Sequence, residues 1–433
     1  MKADKKLKTI VALLMIMMTA CAPKTWQAFI KGTEVVYLKP IETNKTNPCS
    51  QTINYAPSQD YPEHTPMRYI RVRFLIMQGL ANDPNTLTKE DAPAYANRLL
   101  ELVNERLSVN APMALPVGNE TPALPTSYRF VLHKDPNNLD DMGIDFAVDS
   151  LLAYFDIKSN TSGSYDKRAY EKYAQYKNEV LTFVMQEHHP DSIKSATYSA
   201  KSTGTGFTSW VKVVGAKQFL ETKILADGTK EVTGHRTGII LHETGHSFGL
   251  MHTWAGDNCD DTPNNPNCWD RNAEKCPDGI YSNNVMDYNN RQNSFTPCQL
   301  GIIHYNLSKP DGAQRKYLVP VWCTYKKEAT MLITSTGEVW NGSKDLEGDI
   351  VIQNGATLTI SCRVSFPKGA KIIIKPKGTL ILDGAHLTNL CGENWEGIEV
   401  WGNKTEKGSL IIYSKPTIDH TLNPIALPSP TGQ

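Results

Sequence analysis

His242, Glu243, His246 and His252 are the residues of this sequence best suited to do chemistry, in the run His242-Glu243-Thr244-Gly245-His246-Ser247-Phe248-Gly249-Leu250-Met251-His252. On a helix, residues four apart stack on one face, so His242 and His246 can present their imidazoles to a single ion. Glu243 stands one step round, where its carboxylate reaches a water on the ion rather than the ion itself. Three neutral imidazoles suit zinc with one tetrahedral position left open, and zinc lowers the pKa of a water held there to about 7. Glu243 is then the general base and acid for attack on a carbonyl. Gly249 is expected to end the helix in the left-handed conformation, letting the chain turn and bring His252 back as third ligand. The competing reading, a helix that merely carries histidines, needs five fixed positions to coincide by chance.

The elements that must hold these residues are also readable. Gly238-Ile239-Ile240-Leu241 is apolar and free of proline, which predicts the start of a buried helix. Upstream, residues 69–76, 128–132 and 181–185 alternate or run apolar and predict strands, while Lys89 to Leu107 has helical periodicity. The stretches 196–200 and 210–214 read as a further extended pair leading into the zinc helix. Strands with an interposed helix predict a mixed α/β sheet. His188 and His189 have no ligand spacing to support them and read as a loop pair.

The histidine run resembles that of the metzincin zinc endopeptidases, and Asn284-Val285-Met286-Asp287-Tyr288 resembles their Met-turn. His252-Thr253-Trp254, Asp261-Thr262-Pro263 and Ser294-Phe295-Thr296-Pro297-Cys298-Gln299 narrow the resemblance to the pappalysin family. It is strong from Gly234 to Gln299 and weaker back to about residue 68. It implies a zincin-like α/β domain with a mixed twisted sheet and an active-site helix. Met286 would pack beneath the zinc, and Tyr288 would help to stabilise the oxyanion. The substrate would be an extended polypeptide paired along the sheet's edge strand, although the sequence does not say which piece between 196 and 214 is that edge. The segment after the Met-turn would wall the pocket for the residue following the cut bond. Relatives that cut before Arg or Lys carry acids there, whereas residues 289–294 hold none, which predicts a preference for neutral or acidic residues. The resemblance also implies calcium at Asp257 and Thr262, against the plainer reading of a solvated acidic loop. It raises Cys49 as a latency switch on the zinc, although its neighbours Pro48 and Ser50 fit a disulfide partner better.

The formal charge of the 433 residues is +0, so nothing in it points to nucleic acid. A basic start, an apolar run from Ile10 to Met18 and then Thr19-Ala20-Cys21 form an export signal too short to span a membrane. Small residues before a cysteine resemble a bacterial lipobox, implying a membrane anchor on Cys21 of an exported lipoprotein facing the periplasm or the cell surface; plain secretion is the alternative. The eight remaining cysteines suggest disulfides, with Cys259, Cys268, Cys276 and Cys298 stapling the loops around the site. Beyond about residue 340, short apolar runs punctuated by Gly-Ala pairs predict an all-β region, a parallel β-solenoid or alternatively a β-sandwich. Its last residues, 428–433, carry no cap signal and would fit a truncated gene product. The expected organisation is a signal peptide at 1–21, a linker or short pro-segment at 22–64, a metalloprotease domain at 65–325, a β-rich region at 340–415 and a tail at 416–433. The rivals are a surface adhesion protein working through the β-rich region and a zinc hydrolase acting on bonds other than peptide bonds.

Overall fold

The computed structural model describes residues 47–155, 163, 165–198, 203–218, 237–262, 280–289, 291–402 and 405–423, with the strand backbones Trp26–Phe29, Val36–Tyr37, Leu220–Ile224 and Lys230–Gly234. Cys21, Cys268, Cys276 and the C-terminal tail beyond 423 lie outside the described residues. Two units are distinguished, one of residues 45–321 with 341–345 and the other of 1–44, 322–340 and 346–433.

In the first unit the longest apolar strand is its organiser. Strand β1 (Arg68–Gln78) and helix α1 (Asp91–Ser108) are followed by β2 (Tyr128–Leu132), β3 (Ile144–Val148) and β4 (Tyr154–Phe155). Then come β5 (Leu181–His188), β6 (Thr203–Gly206) and β7 (Trp210–Val214). Their order is β2-β1-β5-β7-β6, with β3 beside β1 and β4 beside β5. Every pairing is parallel except that of β6, which lies antiparallel to β7 at the edge. Every residue of β5 is buried, as a central parallel strand covered on both faces requires. Helix α1 buries Tyr95, Leu99, Val103 and Leu107, the one-face spacing that the periodicity predicts.

One expectation is corrected here. The described part of the 196–200 stretch, 196–198, is turn, and the strand starts instead at Thr203. Its sequence, Thr-Gly-Thr-Gly, has no apolar alternation to announce it. Residues 47–64 hold three short 3-10 turns. Tyr55 is buried there and meets Tyr305 edge-on at 5.1 Å, on helix α3 (Pro297–Ser308).

The second unit is all β from Met331 onward, with short strands paired in parallel. Ile350 faces Ile372, which faces Ile398; Leu358 faces Leu380, which faces Leu410; and Val364 faces Leu387, which faces Ile418. These partners, Ile418 excepted, are buried and stack as identical or similar side chains from strand to strand. Along these ladders the pairing is parallel and in register. Phe366 and Trp395 stack at 4.5 Å at one corner, and the Trp395 indole donates to the Asp419 carbonyl. Among the described residues no helix is long and apolar enough to cross a membrane.

Candidate metal centre

Helix α2 (Thr237–Ser247) carries the first two histidines. It stops where expected. Gly249 takes φ +96°, its N–H donates to the His246 carbonyl and the Leu250 N–H returns to the Gly245 carbonyl. A β-carbon at Gly249 would also stand 2.6 Å from the Asn306 amide nitrogen. The chain therefore reverses within one turn and delivers His252 opposite the helix.

The three imidazoles converge. His252 Nε2 lies 3.1 Å from both His242 Nε2 and His246 Nε2. On the far side of each ring, His242 Nδ1 lies 2.7 Å from the Val285 carbonyl and His246 Nδ1 2.8 Å from the Leu250 carbonyl. A carbonyl can only accept, so both Nδ1 atoms carry the proton and both Nε2 lone pairs point inward. Burial pushes His242 down to about 3 and His252 down to about 4, the neighbouring imidazoles adding to the effect, and lowers His246 too. Neutral rings with converging lone pairs are what a divalent cation needs. The donor set fits zinc.

Glu243 lines the same space from α2. Burial pushes its carboxyl up to about 8, with the Gly206 backbone N–H pulling the other way. That contact explains two glycines of β6. A β-carbon at Gly204 would come 2.5 Å from Glu243 Cγ, and one at Gly206 would overlap the Glu243 carbonyl. The edge strand can lie against the helix only because these positions have no side chain.

The Met-turn closes the site from below. Met286 is fully buried, and a β-carbon at Gly245 would stand 2.5 Å from its sulfur. Tyr288 is 41% exposed, its ring 5.1 Å from His252 and 4.7 Å from Trp254, which stacks on His252 at 4.3 Å. Sequence reasoning gave no separate role to Asp287 or Asn284, and named Gln292 only within the expected pocket wall of residues 289–294. Asp287 is buried and accepts the hydroxyls of Thr253 and Ser282, tying the Met-turn to the chain just after His252. Asn284 Oδ1 accepts the Met286 N–H and the Gln299 amide, while Gln299 completes a capping box with Thr296 at the start of α3. The motif Asn-x-Met-Asp-Tyr and the Thr-x-x-Gln run were thus visible as pattern, and their coupling was not.

Asp257 and Thr262 come together, but the Thr262 hydroxyl donates to the Asp257 carboxylate at 2.6 Å. Cys259 and Cys298 form a disulfide. Cys49 is disulfide-bonded too, so its thiol is not free to take a metal. His188 and His189 lie away from the centre, His188 Nδ1 being 2.6 Å from the Tyr198 hydroxyl.

Residues 209–307 match the peptidase family described as pregnancy-associated plasma protein-A. That segment contains all three histidines, Glu243 and the Met-turn. Over those residues the chain is similar to the pappalysin-type peptidases. Mature mirolysin of Tannerella forsythia, solved with a cleaved peptide, is similar over 59% of this chain and 97% of its own, at 17% identity and a TM-score of 0.38. Mirolysin in complex with compound 9 shares 18% identity over the same fractions, with a TM-score of 0.37. No curated protein matches the chain. The pappalysin-like assignment rests on the matched segment and on the site geometry. The similarity to a peptidase family is confined to that segment.

Proposed function

We propose that this is an exported zinc endopeptidase that cuts extended polypeptide, with Glu243 as general base and then acid. The observation that carries the reading is the convergence of three Nε2 lone pairs, two of them fixed by carbonyl partners of Nδ1, beside a buried carboxylate. His242, His246 and His252 would hold the zinc, which supplies Lewis acidity and an acidified water. Glu243 takes a proton from the attacking water and returns it to the leaving amine. The Gly206 N–H favours the ionised form of that carboxylate, against the larger effect of burial. The Tyr288 hydroxyl would steady negative charge on the attacked carbonyl oxygen, a reading supported by its ring lying 5.1 Å from that of His252. Strand β6, the antiparallel last strand of the sheet, offers its free edge to a peptide main chain. By the family resemblance, the segment 289–294 is read as the wall of the pocket for the residue following the cut bond.

Three finer readings belong with this one. Anchoring through a lipidated Cys21 predicts that the wild type fractionates with membranes and a Cys21→Ala variant does not. The second unit is read as coils of a parallel β-solenoid serving as spacer or adhesion surface, supported by its in-register parallel ladders. Calcium at Asp257 and Thr262 would replace their mutual hydrogen bond, and isothermal titration of the zinc-loaded protein with calcium tests it.

The deciding experiment compares the purified protein with its Glu243→Ala variant on a diverse peptide library, cut sites being mapped by mass spectrometry. Chelator-sensitive cleavage present in the wild type and absent in the variant is expected. Equal cleavage by both would reveal a contaminant. Silence from a zinc-loaded wild type would favour the adhesion reading.

A further inference from the structure

The three histidines are not held alike. His242 and His246 each have a carbonyl at Nδ1, whereas His252 Nδ1 has no hydrogen-bond partner among the described residues. A histidine ligand is ordinarily oriented through the ring nitrogen that does not bind the metal. His252 also lies beyond the end of α2, so the packing of that helix does not fix the plane of its ring either.

Aromatic faces take that part. Thr253–Ala255 form a 3-10 turn that ends at Gly256, whose φ of +74° is left-handed. The turn carries Trp254 back over His252, with the two rings 4.3 Å apart and within 11° of parallel. It is pinned by the Thr253 hydroxyl, which donates to the buried Asp287 carboxylate. Tyr288 closes the cluster: its ring meets Trp254 at 4.7 Å and 66°, and His252 at 5.1 Å and 74°. One indole thus touches both a metal-ligating ring and the tyrosine read as steadying the oxyanion. Trp254 is half-buried and stands outside the buried core, so core packing does not explain its position.

The electronics point the same way. An imidazole that gives its lone pair to a divalent cation becomes electron-poor, and an indole face is the best partner for positive charge among the aromatic side chains. The stack is therefore stronger with metal bound than without it, and by linkage such a contact raises metal affinity.

We propose that Trp254 is a positioning residue of the metal centre: its indole fixes the plane of the His252 ring and braces Tyr288 beside it. It does for His252 what a carbonyl at Nδ1 does for the other two histidines. The inference rests on the reading of His242, His246 and His252 as zinc ligands.

The test measures zinc affinity of the full chain by competition with a chromogenic chelator, which needs no turnover. Trp254→Phe keeps a ring face, and Trp254→Leu keeps apolar bulk without one. Trp254→Leu is expected to weaken zinc binding by about tenfold or more, as loss of a partner that orients a ligand does, while Trp254→Phe stays nearer to wild type. With cobalt in place of zinc, the visible absorption bands should shift in Trp254→Leu and hold in Trp254→Phe. At saturating zinc, Trp254→Leu should lower kcat and leave KM for a peptide unchanged; an unchanged kcat overturns the bracing of Tyr288. Zinc affinity in Trp254→Leu equal to wild type, or a loss as large in Trp254→Phe, overturns the role of the ring face. Should a variant fail to fold, wild type grown on fluorinated tryptophan keeps the ring and withdraws its π density. Among the described residues no other tryptophan stacks on the three histidines, so weaker zinc binding there supports the proposal and unchanged binding overturns it. Absence of zinc binding by the wild type overturns the ligand reading itself, and this inference falls with it.

Discussion

A buried carboxylate beside three neutral imidazoles is poorly matched to an empty site, because Glu243 is ionised there only at the cost of desolvation. A divalent cation reverses that balance, favouring the ionised Glu243 and taking up the lone pairs that the carbonyls of Val285 and Leu250 aim inward. Metal binding should therefore stabilise the fold by mass action. Stripping the metal with a chelator is expected to lower Tm, and zinc to restore it, with about 4 kcal/mol of stabilisation at a thousandfold excess over Kd. An unchanged Tm would count against a preformed site. The floor of the centre is equally demanding. Gly245→Ala would drive a methyl group against the Met286 sulfur, in a place where neither helix nor Met-turn has room. We expect a loss of about 1–3 kcal/mol in urea unfolding and, from displacement of the ligands above it, about a hundredfold in kcat/KM. Normal kinetics in that variant would show that the Met-turn does not hold the centre in place. The histidines and Glu243 were legible because their chemistry depends on fixed local spacing. The bond from Arg106 to the Arg291 carbonyl was not, since it arises only when residues 185 positions apart are brought together.

At the scale of elements, the sheet's central strands announced themselves through apolar runs, and its edge did not. Strand β6 is two Thr-Gly pairs, chosen for close approach to α2 rather than for burial of side chains, so it carries no hydrophobic signal. The clamp that holds the loop before β3 was also silent. Arg73, on β1, places both arms of its guanidinium on Asp141 at 2.6 and 3.0 Å and also grips Asp145 at 2.8 Å. The bond from Arg73 holds the Asp141 carboxyl well below the usual carboxylate range, despite the opposing effect of burial. The sign of the linkage follows. Below about pH 4, where a free aspartate takes up a proton, the unfolded chain binds more protons than the folded one. The stabilisation is therefore complete above that pH and is lost as the pH falls toward the folded value. Thermal unfolding between pH 6 and 2 should show Tm falling in the acid limb, and Asp141→Asn should flatten that limb while lowering Tm at pH 6. A variant with the wild-type profile would remove Asp141 from the account.

For the whole molecule, the texture of the sequence reads as a catalytic region followed by a β-rich one, while the structure distinguishes two units of interleaved chain segments. What texture could not give was the course of the chain between them: residues 341–345 rejoin the first unit, where Asp345 accepts a two-pronged bond from Arg315 at 2.7 and 3.1 Å. Nor could it pair the cysteines, because pairing is a property of the folded path and not of spacing. Each unit has its own bridge, Cys259–Cys298 in the first and Cys323–Cys391 in the second. These bridges connect stability to compartment, since such bonds persist in an oxidising setting and not in a reducing cytoplasm. Closing a loop of 39 residues, Cys259–Cys298 should contribute about 4 kcal/mol by restricting the unfolded chain. That loop begins seven residues after His252 and its bridge ends next to Gln299, which braces Asn284 and through it the Met-turn. Reduction should therefore do more than lower Tm. In the zinc-loaded protein, a Cys259→Ser/Cys298→Ser double variant is expected to release zinc to a competing chelator faster than wild type, whereas the Cys323→Ser/Cys391→Ser pair should lose stability without faster release. Equal release from both variants would mean that the first bridge stabilises its unit generally and does not brace the metal centre.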